Sequence, residues 1–161
     1  MQSDRAIEHL IFHQSDITKI LIEAKHPLGS GDASEMKAMA LARWELTRTL
    51  RRYQLFKHIE IFDPLIRSQC PLRADAAAKL KQRCIDIGQA YAEHVQRWSL
   101  QGSASSWEAY QKDATKFIDR IERHLESELC EVRLLLAGIN RTRRRYKKTS
   151  PEPPSPTTPS A

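Results

Sequence analysis

Apolar residues recur every three or four positions along most of this chain, which is the spacing of one face of an α-helix. The first such stretch covers roughly residues 4–24 and ends at a loop that contains Pro27 and Gly29. Its apolar stripe consists of Ala6, Leu10, His13, Ile17, Leu21 and Ala24, widened by Ile7, Ile11 and Ile20. The pattern therefore predicts a helix that buries one side and exposes the other.

A second helix is predicted to begin at Asp32 and Glu35, which have the spacing of a capping box with Asp in place of Ser or Thr. Pro64 should end or kink this helix at Asp63, because a proline ring clashes with the preceding turn. The apolar stripe of this helix consists of Met39, Ala42, Leu46, Leu50, Tyr53, Phe56, Ile59 and Ile66.

Two further helices complete the pattern. The third begins near Pro71, because proline suits the first helical position, and it ends at Gly102. The apolar stripe of the third helix consists of Leu80, Cys84, Ile87, Tyr91, His94 or Val95, and Trp98. The fourth helix is predicted to open with a second capping box, Ser105 and Glu108. Its apolar stripe consists of Ala114, Ile118, Ile121, Leu125, Leu129, Val132 and Leu136. Four amphipathic helices with short connections predict an all-α, antiparallel up-down-up-down four-helix bundle over residues 1–140.

The basic charge is concentrated after this predicted domain. The chain has 26 Lys and Arg, 20 Asp and Glu and a net charge of +6. Residues 149–161 are rich in Pro, Ser and Thr, and since they cannot bury enough apolar surface we expect 141–161 to form a disordered tail. The basic octet 141–148 either contacts nucleic acid or an acidic membrane surface, or serves as a solubilising helix end. Its six cations are Arg141, Arg143, Arg144, Arg145, Lys147 and Lys148.

Several classes of protein are disfavoured by composition. No apolar run approaches the roughly 20 residues that span a bilayer, and residues 2–5 lack the layout of a signal peptide, so we expect a cytoplasmic protein. Cys70, Cys84 and Cys130 form no C-x-x-C pair, which predicts reduced, buried thiols. No nucleophile elbow or glycine-rich phosphate loop occurs, and nothing else indicates an enzyme.

Arginine is frequent on the second predicted helix. We expect these cations to pair with acidic groups of neighbouring helices, and the alternative is that they bind an acidic partner. The residues concerned are Arg43, Arg48, Arg51 and Arg52.

Histidines are spread over all four predicted helices, and His124 and Glu128 stand one turn apart on the fourth. Imidazoles and carboxylates from facing helices are the groups with which helix bundles hold paired iron ions. In this respect residues 4–136 resemble the hemerythrin-like (HHE cation-binding) domain. The resemblance is carried by the segments EHLIFHQSDI, QLFKHIEIFDPLI, AYAEHVQRW and DRIERHLESEL.

The resemblance implies a four-helix bundle that binds iron and senses or carries oxygen or nitric oxide. The candidate metal ligands it implies are His9, His13, His58, His94, His124 and Glu128. The second helix departs from the family pattern of His-x-x-x-Glu followed by an aromatic residue and proline. Aligned on Pro64, it has Gln54 where the family has His, and His58 where the family has Glu.

The rise of about 1.5 Å per helical residue tests whether these side chains can meet. Measured from one end of the bundle, His9, His13 and His124 share a layer, whereas His58 and His94 lie outside it. A two-iron centre needs roughly five or more ligands, so we predict that this centre has been lost.

The sequence therefore favours a non-enzymatic interaction or regulatory module that has no cofactor and binds another protein. The first alternative is an iron protein, with a di-iron or mononuclear centre. The second is association with nucleic acid or an acidic membrane through the basic octet.

Overall fold

The computed structural model describes the backbone of residues 2–101 and 106–149, and the side chains of residues 3–99 and 106–138. All regular structure within these residues is helical, with no strand, which confirms the all-α prediction and its four long helices. The helices are α1 (Gln2–Gly29), α2 (Met36–Lys57), the short α3 (Asp63–Ile66), α4 (Pro71–Gln101) and α5 (Trp107–Thr149). A 3₁₀ turn at Ala33–Glu35 precedes α2, and a π-helical segment at His58–Phe62 follows it.

The first helix is longer than predicted, because α1 continues through Pro27 to Gly29. Leu28 is only 6% exposed, so its burial favours the final turn. Gln111 on α5 donates a hydrogen bond to the carbonyl oxygen of Leu28 at 2.5 Å. Tertiary contacts thus outweigh the single backbone hydrogen bond that a proline near the end of a helix removes.

The predicted cap of the second helix is found in part. A side-chain oxygen of Asp32 accepts a hydrogen bond from the backbone N–H of Ser34 at 2.9 Å. Glu35 makes no side-chain cap, and the first turn is 3₁₀ before α2 begins at Met36. Asp32 therefore starts the helical segment without the reciprocal bond of a full capping box.

The regular α-helix before Pro64 ends earlier than predicted, at Lys57 and not at Asp63. The turn widens at His58–Phe62, where the N–H of Asp63 bonds to the carbonyl oxygen of His58, five residues back. Such a wider turn accommodates a local disruption of the α-helical ladder. It makes Ile61 buried and leaves Ile59 60% exposed, so the predicted placement of Ile59 in the buried stripe is wrong.

The four long helices share one core. Helices α1 and α4 each pack against both α2 and α5, while α3 and the π-helical segment pack against α4. Most of the predicted stripe residues are buried, although Ile11 is 41% exposed. The completely buried apolar side chains are Leu10, Ile17, Leu21, Phe62, Ala77, Tyr110 and Val132.

Helix α5 extends past the domain boundary predicted at residue 140, so the backbone of the basic octet is helical. The octet's side chains and residues 150–161 lie outside the described residues, where the expected disorder stays a prediction. No helix in the described part of the chain is long and apolar enough to cross a membrane.

The loop after α1 provides a test of the backbone. Gly31 has a φ of 70°, a conformation that costs an L-residue about 1–2 kcal/mol. We expect Gly31→Ala to lower the free energy of unfolding by about that amount, measured by urea denaturation. Gly29→Ala is the control: Gly29 is helical and open space surrounds its Cα, so it should stabilise slightly. Equal effects of the two substitutions would contradict this account.

Candidate functional site

A buried ion pair lies at the centre of the bundle. Lys57 is the last residue of α2, and Glu128 lies on α5; each is only 1% exposed. The ammonium Nζ of Lys57 stands 2.7 Å from Oε2 and 2.9 Å from Oε1 of Glu128, so it bonds both carboxylate oxygens. The pair carries no net charge, which is the usual condition for burying two ionised groups.

Two further side chains extend the pair into a network. The hydroxyl of Tyr53 donates to Oε1 of Glu128 at 2.5 Å. Gln14 on α1 uses its amide nitrogen to donate to the Tyr53 oxygen and to the carbonyl oxygen of Leu125, both at 2.9 Å. The Lys57 ammonium also lies 3.9 Å from the centroid of the Tyr53 ring, close enough for a cation–π contact. The network therefore joins α1, α2 and α5.

The network determines which groups are ionised at neutral pH. Burial by itself would raise the pKa of Glu128, but the neighbouring His124 and Lys57 outweigh it and lower the pKa to about 2. Burial and the adjacent Glu128 carboxylate raise the pKa of Tyr53 well above its ordinary value. Glu128 is therefore a carboxylate, and Tyr53 keeps the proton that it donates.

The structure brings only some of the predicted metal ligands together. Nε2 of His124 lies 3.3 Å from Oε2 of Glu128. His9 and His13 lie instead against Phe56, with ring centroids 5.9 and 4.9 Å from it. His58 lies against Phe62 and lines the same space between the helices as His124, whereas His94 lies near the C-terminal end of α4.

His94 is held by the other end of α5. Its Nδ1 lies 2.8 Å from Oδ2 of Asp113, and the same oxygen accepts hydrogen bonds from Trp98 at 2.7 Å and Arg97 at 3.1 Å. Burial lowers the pKa of His94, with partial opposition from the Asp113 carboxylate. Because its Nδ1 faces a carboxylate, we assign His94 to packing between α4 and α5.

These side chains do not fit a two-iron centre. Among the described residues, no group of three or more His, Cys, Asp or Glu lies close enough to hold a metal ion. The Lys57 ammonium bonds both oxygens of Glu128, so this carboxylate already has a positive partner. In this chain a lysine neutralises the buried carboxylate.

The depth estimate from the sequence was wrong for His58, because it assumed that the helices begin level. Arg43 lies over the Tyr110 ring, 5.2 Å from its centroid. Since Tyr110 follows the start of α5 more closely than Arg43 follows the start of α2, the two helices are offset. The offset brings His58 to the level of His124, and both line one cleft.

Sequence reasoning missed Lys57, although a signal was present. Lys57 is spaced four residues from Tyr53 and seven from Leu50, so it continues the apolar stripe of α2. Glu128 likewise falls between Leu125 and Val132 on the stripe of α5. A lysine and a glutamate on two facing apolar stripes indicate a buried ion pair, because neither charge is stable there alone.

A cleft of about 680 Å³ opens between α2, α4 and α5 beside this network. Gly88 and Ala92 line it one turn apart on α4, and their small size leaves the space. A Cβ at position 88 would approach the Gln54 amide nitrogen to 3.4 Å, which is ordinary contact. Lys57 and Tyr53 of the network are among the lining residues.

The outer face of α2 is unusually apolar for an exposed surface. Four large apolar residues recur on it at near-helical spacing: Leu41 (65% exposed), Trp44 (57%), Leu55 (54%) and Ile59 in the following π turn (60%). Three arginines lie between them, and the guanidinium of Arg48 stands 4.5 Å from the Trp44 ring centroid. We call this surface the α2 outer face: Leu41, Trp44, Arg48, Arg51, Arg52, Leu55 and Ile59.

The expectation that the arginines pair with neighbouring helices is wrong for this surface. None of Arg48, Arg51 and Arg52 forms an ion pair with a residue whose side chain the structure describes. Arg43 instead lies over the ring of Tyr110. The α2 outer face therefore combines exposed apolar side chains with arginines that form no ion pair with a described side chain.

The cysteines are all free, but they are not all buried as predicted. Cys84 is buried, Cys70 is half-buried, and Cys130 is exposed on α5. Burial raises the pKa of Cys84, which keeps it as a thiol.

No family model, curated protein or solved structure matches the chain. The hemerythrin-like resemblance accordingly stays a prediction carried by its sequence motifs.

The ion pair makes a direct prediction about stability. Lys57→Met and Glu128→Leu should each lower the free energy of unfolding by about 3–5 kcal/mol, since each leaves a buried charge without its partner. The double substitution should fall within about 1–2 kcal/mol of the wild type. Urea denaturation of all four proteins measures the coupling.

A surface pair provides the matched control. Lys25 and Glu122 lie 2.6 Å apart but are 49% and 32% exposed, so Lys25→Met should cost under about 1 kcal/mol. Additive losses in the Lys57→Met and Glu128→Leu double variant would show that the two charges do not stabilise one another.

The low pKa of Glu128 predicts an acid-sensitive contribution. The folded value of about 2 lies below the ordinary value of 4.5, so the contribution is complete above pH 4.5 and is lost as pH falls towards 2. Between pH 5 and pH 2.5 the wild type should lose about 2–3 kcal/mol more than the double variant, measured by urea titrations. Parallel losses would refute the assignment.

Proposed function

We propose that this protein is a cytoplasmic, non-enzymatic interaction or regulatory module. In this proposal it has a hemerythrin-like, antiparallel up-down-up-down four-helix bundle whose di-iron site has been lost. The observation that carries the functional part is the α2 outer face, which exposes four large apolar side chains among three arginines without ion-pair partners.

Contacts between neighbouring helices support the antiparallel arrangement. Gln14 in the middle of α1 bonds to Leu125 of α5, whereas Leu28 at the end of α1 bonds to Gln111 near the start of α5. Residue numbers thus rise in one helix as they fall in the other. The same reversed order relates α4 and α5 in the pairs His94–Asp113 and Arg83–Glu131.

The Lys57–Glu128 pair supports the loss of the metal site. A lysine ammonium already neutralises the carboxylate that the resemblance assigns to iron. The chain has a buried polar network between its helices, in which Lys57 and Tyr53 donate hydrogen bonds to the Glu128 carboxylate. Oxygen or nitric oxide sensing through iron is therefore the less favoured function.

The composition of the α2 outer face defines the partner. Isolated apolar side chains are normal on a surface, but a row along one helix is typical of a binding site. Trp and Arg are also the residue types that most often dominate binding energy at interfaces. We propose that the partner presents an amphipathic helix with leucines on one face and flanking glutamates, because these complement the apolar row and the arginines.

A designed peptide tests this proposal. A fluorescein-labelled helical peptide with a leucine face and flanking glutamates should bind in fluorescence polarisation, and binding should weaken as salt rises. The variant Trp44→Ala/Ile59→Ser should bind at least about tenfold more weakly, as expected for loss of a central aromatic anchor. Arg48→Glu should also weaken binding, because it reverses the charge.

The first helix supplies a matched control. Phe12→Ser/Ile22→Ser removes two comparably exposed apolar side chains, 65% and 60% exposed, from α1. This variant should bind the peptide like the wild type, and a lysine version of the peptide should not bind. Equal weakening by the α1 and α2 variants would reject the α2 outer face as the binding surface.

A further inference from the structure

The cleft between α2, α4 and α5 has the size and layout of a small-molecule site. Its volume of about 680 Å³ falls within the roughly 300–1,000 Å³ of typical ligand pockets. Polar side chains of Gln54, Lys57 and His58 line it where α2 passes into the π turn, which we call the polar end. Leu50 lines it nearer the middle of α2, next to Thr47 and Arg51. Tyr91 and Val95 of α4 add apolar surface on the side of Leu50.

Two buried nitrogen atoms at the polar end form no hydrogen bond with a described residue. Nε2 of His58 and Nε2 of His124 are both shielded from solvent, and neither has a hydrogen-bond partner among the described residues. Buried polar atoms in folded proteins are nearly always hydrogen-bonded, so two orphaned atoms beside one cleft point to a polar group that enters it. His124 Nε2 also lies 3.3 Å from Oε2 of Glu128, whose carboxylate is already bonded by Lys57 and Tyr53.

The charges around the cleft determine the sign of that polar group. Glu128 is neutralised by Lys57, so the network contributes no net charge. Arg51 also lines the cleft and forms no ion pair with any described side chain. Burial is the largest cause that lowers the pKa of His58 and opposes a charge of either sign, whereas the nearby Lys81 and Lys57 oppose only a further positive charge. The polar end consequently favours an anion.

We propose that this cleft binds an amphipathic monocarboxylate, such as a medium-chain fatty acid. The carboxylate accepts hydrogen bonds from the imidazoles of His58 and His124, which satisfies both nitrogens, and Arg51, about two turns earlier on α2, adds electrostatic attraction from the cleft wall. The hydrocarbon chain lies towards Leu50, Tyr91 and Val95, and its burial supplies most of the binding energy. The cleft adjoins the proposed partner site, because Arg51 and Leu55 belong to both, but this inference does not depend on the proposed function.

Three ligands with hydrocarbon chains of similar length but different head groups test whether the cleft selects a carboxylate. Isothermal titration of the full chain with decanoate should give saturable binding to one site. Decan-1-ol should bind at least about tenfold more weakly, because it lacks the charge, and decyltrimethylammonium should not bind. Equal or tighter binding of decan-1-ol, or no saturable binding of decanoate below its micellar concentration, would overturn the proposal.

Two alanines on α4 locate the site. Ala92 lines the cleft and is exposed, so Ala92→Phe should obstruct it and reduce decanoate affinity at least about tenfold without unfolding the bundle. Ala78→Phe, also exposed on α4 but outside the cleft, should bind decanoate like the wild type.

The histidines provide an independent test of the head-group contact. His58→Leu should reduce the preference for decanoate over decan-1-ol while decan-1-ol binding persists. Unchanged decanoate binding in Ala92→Phe, or an unchanged head-group preference in His58→Leu, would count against this site.

Discussion

Burying one positive and one negative charge at the same point is the constraint on which this bundle depends. Each of Lys57 and Glu128 is 1% exposed, and removal from water would be very unfavourable for either ion alone. Their contact requires α2 and α5 to meet at one register, since a displacement of one turn would separate the ammonium from the carboxylate. The hydrogen bonds of Tyr53 and Gln14 extend this requirement to α1. Helix offsets are thus set by charge as well as by apolar packing.

The π turn after α2 belongs to the same arrangement. Lys57 is the last α-helical residue before the turn widens, and His58 is the first residue of the wider turn. Ile61, Phe62 and Leu65 are buried beyond it, so the chain returns to the core after the irregular turn. Lys81 bonds to Asp63 at 2.6 Å and joins this connection to α4. An irregular segment next to the central ion pair also places His58 beside the cleft.

Apolar periodicity predicted the four long helices and most of their buried residues, because burial of one face is a local property of each helix. The seam from Leu80 to Trp98 and the stripe from Ala114 to Leu136 are both found in the core. The predicted set of metal ligands was less informative, because the ligands of one site must also lie at the same level along the helices and point towards the same space. Helix starts that differ by one turn made His58 look remote from His124. The unpaired arginines of α2 were not foreseeable either, since pairing depends on what neighbouring helices present.

The separation of the two charges along the chain has a consequence for protein synthesis. Lys57 and Glu128 are 71 residues apart, so at about 5–20 residues per second the carboxylate is made roughly 4–14 s after the ammonium. Until then the nascent α1–α2 hairpin carries a lysine on its apolar side with no acid to meet it. An unpaired lysine at this position opposes docking of the apolar sides, because burial of a charge without its partner is very unfavourable. Completion of the core is thereby deferred until the last helix leaves the ribosome.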